Sequence, residues 1–186
     1  MDTGANPNVP NGEGNTPLHY LVRCHVSDES KSLKLDLLNQ MICNGGDVNA
    51  MNHVGETALH VSMFLGDPEV VNFLLDSYAD TNIITRQGES CLHYAVQARS
   101  YVLVELLLNY GANPYITSAN GKNAIDLAYI YHVPEITEIF RRVPLQDEVL
   151  PGESFAPRLR RASELQKRKY STRSKSSPTA TRKLTE

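Results

Sequence analysis

The sequence predicts an all-α solenoid of stacked helix-turn-helix units with β-hairpin tips, followed by a disordered tail. Two observations carry this. First, Gly55-Glu-Thr-Ala-Leu-His60 returns as Gly88-Glu-Ser-Cys-Leu-His93, and Tyr78-Ala-Asp-Thr-Asn82 as Gly111-Ala-Asn-Pro-Tyr115, each at an offset of 33 residues. Second, the apolar residues between these markers recur at helical spacing, with Val70, Val71, Phe73, Leu74 and Leu75 matching Leu103, Val104, Leu106, Leu107 and Leu108. A fixed period of this length marks an array of identical supersecondary units, each burying its apolar face against a neighbour. Two further copies open at Gly14-Asn-Thr-Pro-Leu-His19 and Gly121-Lys-Asn-Ala-Ile-Asp126, 41 residues before His60 and 33 after His93.

Thr16-Pro-Leu-His19, Thr57-Ala-Leu-His60 and Asn44-Gly-Gly-Asp-Val-Asn49 resemble the ankyrin repeat. The resemblance runs from about Thr3 to about Arg142. It implies four repeats over residues 11–143 (about 11–51, 52–84, 85–117 and 118–143), after the end of a partial repeat at 1–10 and before a basic tail at 144–186. Ankyrin arrays serve unrelated partners, so a role has to be argued from the site rather than the fold.

Gly4-Ala-Asn-Pro7 repeats the words Gly111-Ala-Asn-Pro114 that close a repeat, so the chain reads as starting in mid-repeat. No polar capping unit precedes the first complete helix pair, which suggests a shortened form of a longer ankyrin protein; a short polar start is the alternative. In repeat one Thr16 is the expected N-cap with Pro17 at the first helical position, where a missing N–H costs nothing. Its inner stripes are expected to be Leu18, Leu21 and Val22, then Leu37, Leu38, Met41 and Ile42. A polar insert around His25 to Ser32 accounts for the longer offset and is a candidate contact. The second helices of repeats two and three fall at about Pro68 to Ser77 and Tyr101 to Tyr110. Gly66 supplies a positive-φ turn between helices, and Arg99 stands at the same place in repeat three, either strained or in a turn of another shape. Repeat four puts Asp126 for the histidine and His132 for the glycine, and sets Thr137 and Arg141 in the apolar stripe, a polar shift suited to a C-terminal cap.

The charges are unevenly spread: residues 1–143 hold 8 Lys+Arg against 16 Asp+Glu, and residues 144–186 hold 10 against 5. An acidic body with a basic tail points to an interaction arm or to self-association of the two. Cys24, Cys43 and Cys91 form no CxxC pair and are expected inside helices in a reducing compartment. No apolar run reaches the length of a membrane span, and the start lacks the basic and apolar regions of a secretory signal. These features favour the cytoplasm or nucleus, without membrane insertion. Beyond Val143 large apolar residues are few and Pro, Ser, Thr, Lys and Arg many, so the tail is expected to be disordered apart from a transient helix around Ser163 to Tyr170.

His19, His60 and His93 sit one per repeat, roughly a helix diameter (~10 Å) apart, which is wrong for zinc. The resemblance implies that they hydrogen-bond backbone between neighbouring turns. No nucleophile with a nearby base, no phosphate loop and no paired carboxylates are visible, so neither catalysis, a metal nor a cofactor is expected. Asp67 with Glu69, and Glu135 with Glu138, read as solvated helix faces and partners of the helix dipole at its N-terminus.

The resemblance implies a recognition surface at the hairpin tips and the exposed face of each first helix. Those positions are Asn52, His53, Val54, Glu56, Phe64 and Leu65; then Thr85, Arg86, Gln87, Glu89 and Gln97; then Ser118, Asn120, Lys122, Ile130 and Tyr131. Phe64 and Leu65 stand where a concave face is normally polar. Either they form a binding hot spot or Phe64 folds into the inter-repeat core.

In the tail, Leu159-Arg-Arg-Ala-Ser163 resembles the substrate of a basophilic, cyclic-nucleotide-dependent kinase, and Arg173-Ser-Lys-Ser-Ser-Pro178 resembles a 14-3-3 docking motif with Ser176 as acceptor. Lys167-Arg-Lys169 with Arg158, Arg160 and Arg161 would alternatively make a nuclear-import or nucleic-acid patch, although the acidic body argues against nucleic acid as the main partner. The leading reading is a noncatalytic protein-interaction module binding a protein partner on the concave face. A nuclear, transcription-regulating ankyrin protein and a shortened form of a larger signalling protein are the alternatives.

Overall fold

The computed structural model describes residues 6–142, apart from the side chain of Asp28. Four helical hairpins stack in a row: α1 (Pro17–Arg23) with α2 (Lys31–Cys43), α3 (Ala58–Leu65) with α4 (Pro68–Asp76), α5 (Cys91–Gln97) with α6 (Tyr101–Asn109), and α7 (Ala124–Ile130) with α8 (Pro134–Arg141). The first helices pack in the order α1, α3, α5, α7, and α4, α6 and α8 form a second layer. Each first helix is opened by Thr, Ser or Asn at the N-cap, and Pro17, Pro68 and Pro134 occupy first-turn positions. The hairpin tips are shorter than a strand pair. Each closes with two backbone bonds across the turn, such as Asn52 N–H to the Glu56 carbonyl and Gly55 N–H to the Asn52 carbonyl, both at 2.9 Å, and no strand occurs among the described residues.

One packing rule explains which residues of hairpin one are covered. Val70, Leu103 and Ile136 occupy one register on the second helices of hairpins that follow another, and are 2%, 0% and 0% exposed. Leu37 holds that register in α2, where no described hairpin precedes it, and is 41% exposed. It therefore leaves the inner stripe in which the apolar pattern places it. Leu18, Val22 and Leu38 face the next hairpin and are buried, whereas Leu21, Met41 and Ile42 are half-buried. At the other end Thr137 returns its hydroxyl to the Val133 and Pro134 carbonyls, and Arg141 lies outside the stripe, exposed and paired with Glu138 at 3.2 Å.

The insert is built around a lysine. Its middle is a 3-10 turn at Asp28–Ser30, and α2 already starts at Lys31, within the stretch expected to be a loop. No left-handed residue ends α1; its C-cap, Cys24, is extended at φ −65°. The last carbonyls are instead taken by Lys34, which is 3% exposed and donates from Nζ to the Val22 carbonyl at 3.0 Å and the Cys24 carbonyl at 2.8 Å. A cation at a helix C-terminus also meets the negative end of the helix dipole. Burial nevertheless lowers the Lys34 pKa, with Asp67 opposing that shift. Lys31, one turn earlier, bridges to Asp67 at 3.2 Å and Glu69 at 3.3 Å, so these two acids are partnered rather than merely solvated.

Gly66 ends α3 with φ +66°, and Arg99 and His132 adopt φ +54° and +51° at the equivalent places. The turn therefore keeps its shape without glycine, and the strained alternative holds for Arg99. Replacing Arg99 by Gly should raise stability by roughly 0.5–1 kcal/mol; a denaturation midpoint that stays put or falls would refute this. Tyr78 is a third such residue, at φ +67°, standing where Gly45 and Gly111 occur in neighbouring hairpins.

Cys91 is buried at the start of α5, where burial pushes its thiol pKa up and keeps it neutral. Cys24 and Cys43 end their helices and are exposed, not packed inside them as the apolar pattern suggests. The expected tail disorder, the helix around Ser163 to Tyr170, the acceptors Ser163 and Ser176, and the first residues of Gly4-Ala-Asn-Pro7 lie outside the described residues.

Candidate functional site: a groove across the first two hairpins

The tips are positioned by three repeating networks. In the first, His19 Nδ1 accepts the Thr16 backbone N–H at 3.1 Å, which leaves the proton on Nε2 to donate to the Glu56 carbonyl of the next tip at 3.0 Å. His93 does the same between Ser90 and the Lys122 carbonyl, at 3.1 Å on both sides. These imidazoles are structural, and no group of His, Cys, Asp and Glu that could hold a metal occurs among the described residues. His60 accepts from Thr57 N–H at 3.2 Å, but its Nε2 is buried without a partner in hydrogen-bond geometry. Burial outweighs the Glu56 charge and the nearby Glu89 and Ile83 backbones, which favour its protonated form, and pulls this imidazole down to about 4. In hairpin four Asp126 replaces the ring and closes a capping box with Asn123, accepting the Asn123 N–H at 3.1 Å.

The second network joins the tips: His53 N–H to the Glu13 carbonyl (2.9 Å), Arg86 N–H to Val54 (3.0 Å) and Ala119 N–H to Gln87 (2.7 Å). The third is an asparagine ladder under the loops. Asn8 donates to the Gly45 carbonyl and accepts from Asp47 N–H; Asn49 does so with Tyr78 and Asp80, and Asn82 with Gly111 and Asn113. The sequence reading missed this ladder. The signal was available, because Asn49 and Asn82 share a register and Asn8 stands 41 residues before Asn49.

On this framework a groove of about 780 Å³ opens between hairpins one and two. Six predicted residues meet there: Asn52, His53, Val54, Glu56, Phe64 and Leu65. Phe64 does not fold into the core. It is 72% exposed, with its ring edge-on to Tyr94 at 5.8 Å, and Tyr94 in turn packs edge-on to His60 at 5.4 Å. The Tyr94 hydroxyl donates to Glu56 Oε1 at 3.1 Å, and burial, aided by the Glu56 charge, pushes the phenol pKa up so that it remains a donor. Glu56 Oε2 accepts from Asn52 at 3.1 Å, so this carboxylate is held as part of the wall. Tyr20 and Arg23, not singled out from sequence, also line the groove, as does His25 of the insert read as a candidate contact. They lie on the outer side of α1 and in the insert, and stacking alone brings them opposite α3.

The other predicted residues are spread along the array. Arg86 and Gln87 are exposed at the third tip; Glu89 accepts from Gln97 at 3.0 Å. Asn120 and Lys122 are exposed at the fourth tip, Ile130 is exposed on α7, and Tyr131 is half-buried against the core. Thr85 and Ser118 are buried and do not present a surface. Thr85 Oγ1 accepts the Glu89 N–H, and Ser118 donates to the Lys122 carbonyl.

A family model described as ankyrin repeats (3 copies) matches residues 26–118, half of the chain. The chain belongs to the ankyrin-repeat family. Ankyrin repeats are in general protein–protein interaction modules, typically without catalytic activity of their own. No curated protein matches this ankyrin chain. Among its described residues no helix is long and apolar enough to cross a membrane.

Proposed function

We propose that this ankyrin protein is a noncatalytic adaptor, scaffold or inhibitor that binds a protein partner in the groove between hairpins one and two. It would act in the cytoplasm or nucleus, regulated by phosphorylation of its basic tail at Ser163 and Ser176. The observation supporting the site is Phe64: a ring 72% exposed, propped by Tyr94, with Val54, Leu65 and Tyr20 around it and Arg23, His25 and His53 beside it. An exposed aromatic anchor with a polar rim has the make-up of a hot spot.

Truncating Phe64 and Leu65 together to Ala should weaken partner binding about 30-fold or more, the effect of losing roughly 2 kcal/mol at a hot spot. Phe64 is exposed, so folding should be little affected. Binding of partners recovered by wild type is then measured against the double variant and against Val102→Ala, on the opposite face. Equal retention by all three would refute the assignment.

A further inference from the structure

A second groove, of about 600 Å³, lies on the convex side between α2, α4 and α6. Its floor is Leu35, Phe73, Val102 and Leu106, and its rim carries Glu69, Asp76 and Glu105. Neither α4 nor α6 contains a Lys, Arg or His. The cations of α2 are Lys31, shared between Asp67 and Glu69, and Lys34, buried on the Val22 and Cys24 carbonyls. Asp76 is held in place by the Tyr110 hydroxyl at 2.6 Å and by Asn72 at 3.1 Å. This is an apolar slot under a negative rim, whereas the concave groove mixes Arg23, His25 and His53 with Glu13 and Glu56.

The chain carries a complementary segment outside the described residues. Between 158 and 183 it holds ten Lys+Arg and one acid, Glu164, and the stretch 158–169 sets six of those cations around Leu159 and Leu165. Reach is adequate. Sixteen residues separate Arg142 from Arg158, a length of chain that can span at most roughly 53–58 Å. Since α8 packs on α6 and α6 on α4, the groove lies about two helix spacings, some ~20 Å, from the end of α8.

We propose that residues 158–169 dock in this convex groove, with the arginines on the Glu69, Asp76 and Glu105 rim and Leu159 or Leu165 on the Phe73 and Leu106 floor. The two grooves then take opposite occupants, tail on the convex face and partner on the concave one. The regulatory half of the idea rests on the reading of Ser163 as a phosphoacceptor. A phosphate adds roughly −1.5 to −2 charge at the centre of the segment, facing the acidic rim, and should release it.

The test uses the full chain with Cys24→Ser and Cys43→Ser, a spin label on Ser171→Cys, and Cys91 left buried. Amide signals of Phe73, Val102, Glu105 and Leu106 should be broadened. The broadening should disappear at about 1 M salt, in Glu105→Lys and after phosphorylation of Ser163, yet persist in the Phe64→Ala, Leu65→Ala variant. No broadening on α4 and α6, or broadening at the concave tips instead, would overturn the docking site. Equal broadening when a spin-labelled chain is mixed with an isotope-labelled, spin-free one would assign the groove to a second copy and overturn the intramolecular proposal. Broadening that survives phosphorylation would overturn the switch. None of these outcomes depends on partner binding at Phe64, so the two proposals fail separately.

Discussion

Lowering the pH from about 7.5 to about 4.5 should cost the array on the order of 3 kcal/mol through His60 alone. In the folded state burial holds this imidazole down to about 4, against an ordinary value of 6.5. The unfolded chain therefore takes up a proton near 6.5 that the folded chain refuses until near 4. Stability contributed by neutral His60 is complete above the unfolded value, is lost as pH falls through that window, and is lost no further below about 4. The charged ring would sit fully buried, with an Nε2 proton already lacking a well-placed acceptor, between Thr57 and the Tyr94 edge. Urea denaturation of wild type beside His60→Asn, which retains an acceptor for the Thr57 N–H but cannot become charged, isolates this effect from carboxylates that titrate in the same range. The two proteins should differ most near neutral pH and converge on acidification. Parallel pH profiles would show that His60 does not carry the acid sensitivity.

Replacing Gly55 by Ala should cost about 2–4 kcal/mol, more than a left-handed residue alone explains. Gly55 has φ +85°, and a Cβ there would lie 2.9 Å from the Arg86 backbone nitrogen and 3.0 Å from the Thr85 Cα. Both are backbone atoms of the next tip and cannot swing aside. Relief would require opening the Arg86 N–H to Val54 carbonyl bond, one of the three that link the tips. The control is Gly121→Ala, at φ +69° with nothing within 4 Å of the new carbon, where only the conformational cost of about 1 kcal/mol should appear. Thermal unfolding of both variants decides this. Equal losses would mean that the tip has room to give.

The repeated features were legible because a solenoid unit contacts only its neighbours, so the same local problem is solved by the same residues at a constant offset. Leu103 and Leu107 are buried as the 33-residue register implies, His19 and His93 bond backbone of the following tip as the ankyrin resemblance implies, and of the two alternatives for Arg99 the positive φ of Gly66 is the one found. The register could not say which copies of a position have a neighbour. Leu37 and Val70 are equally apolar, yet one is exposed and the other buried, because burial depends on a hairpin lying against that side rather than on the residue itself. Lys34 was invisible for a related reason: a lysine reads as surface, and only the uncapped end of α1 supplies two carbonyls that make its burial tolerable. The groove was half legible. Phe64 and Leu65 stand out as apolar residues where a concave face is normally polar and His25 belongs to the insert read as a candidate contact, whereas Tyr20 and Arg23 join them only through the stacking of α1 on α3. The period determined the helices, caps and inward registers, since those depend on chain-local geometry. Which faces are covered, which polar groups find partners and which side chains share a groove were decided by tertiary structure, because each depends on atoms from another hairpin.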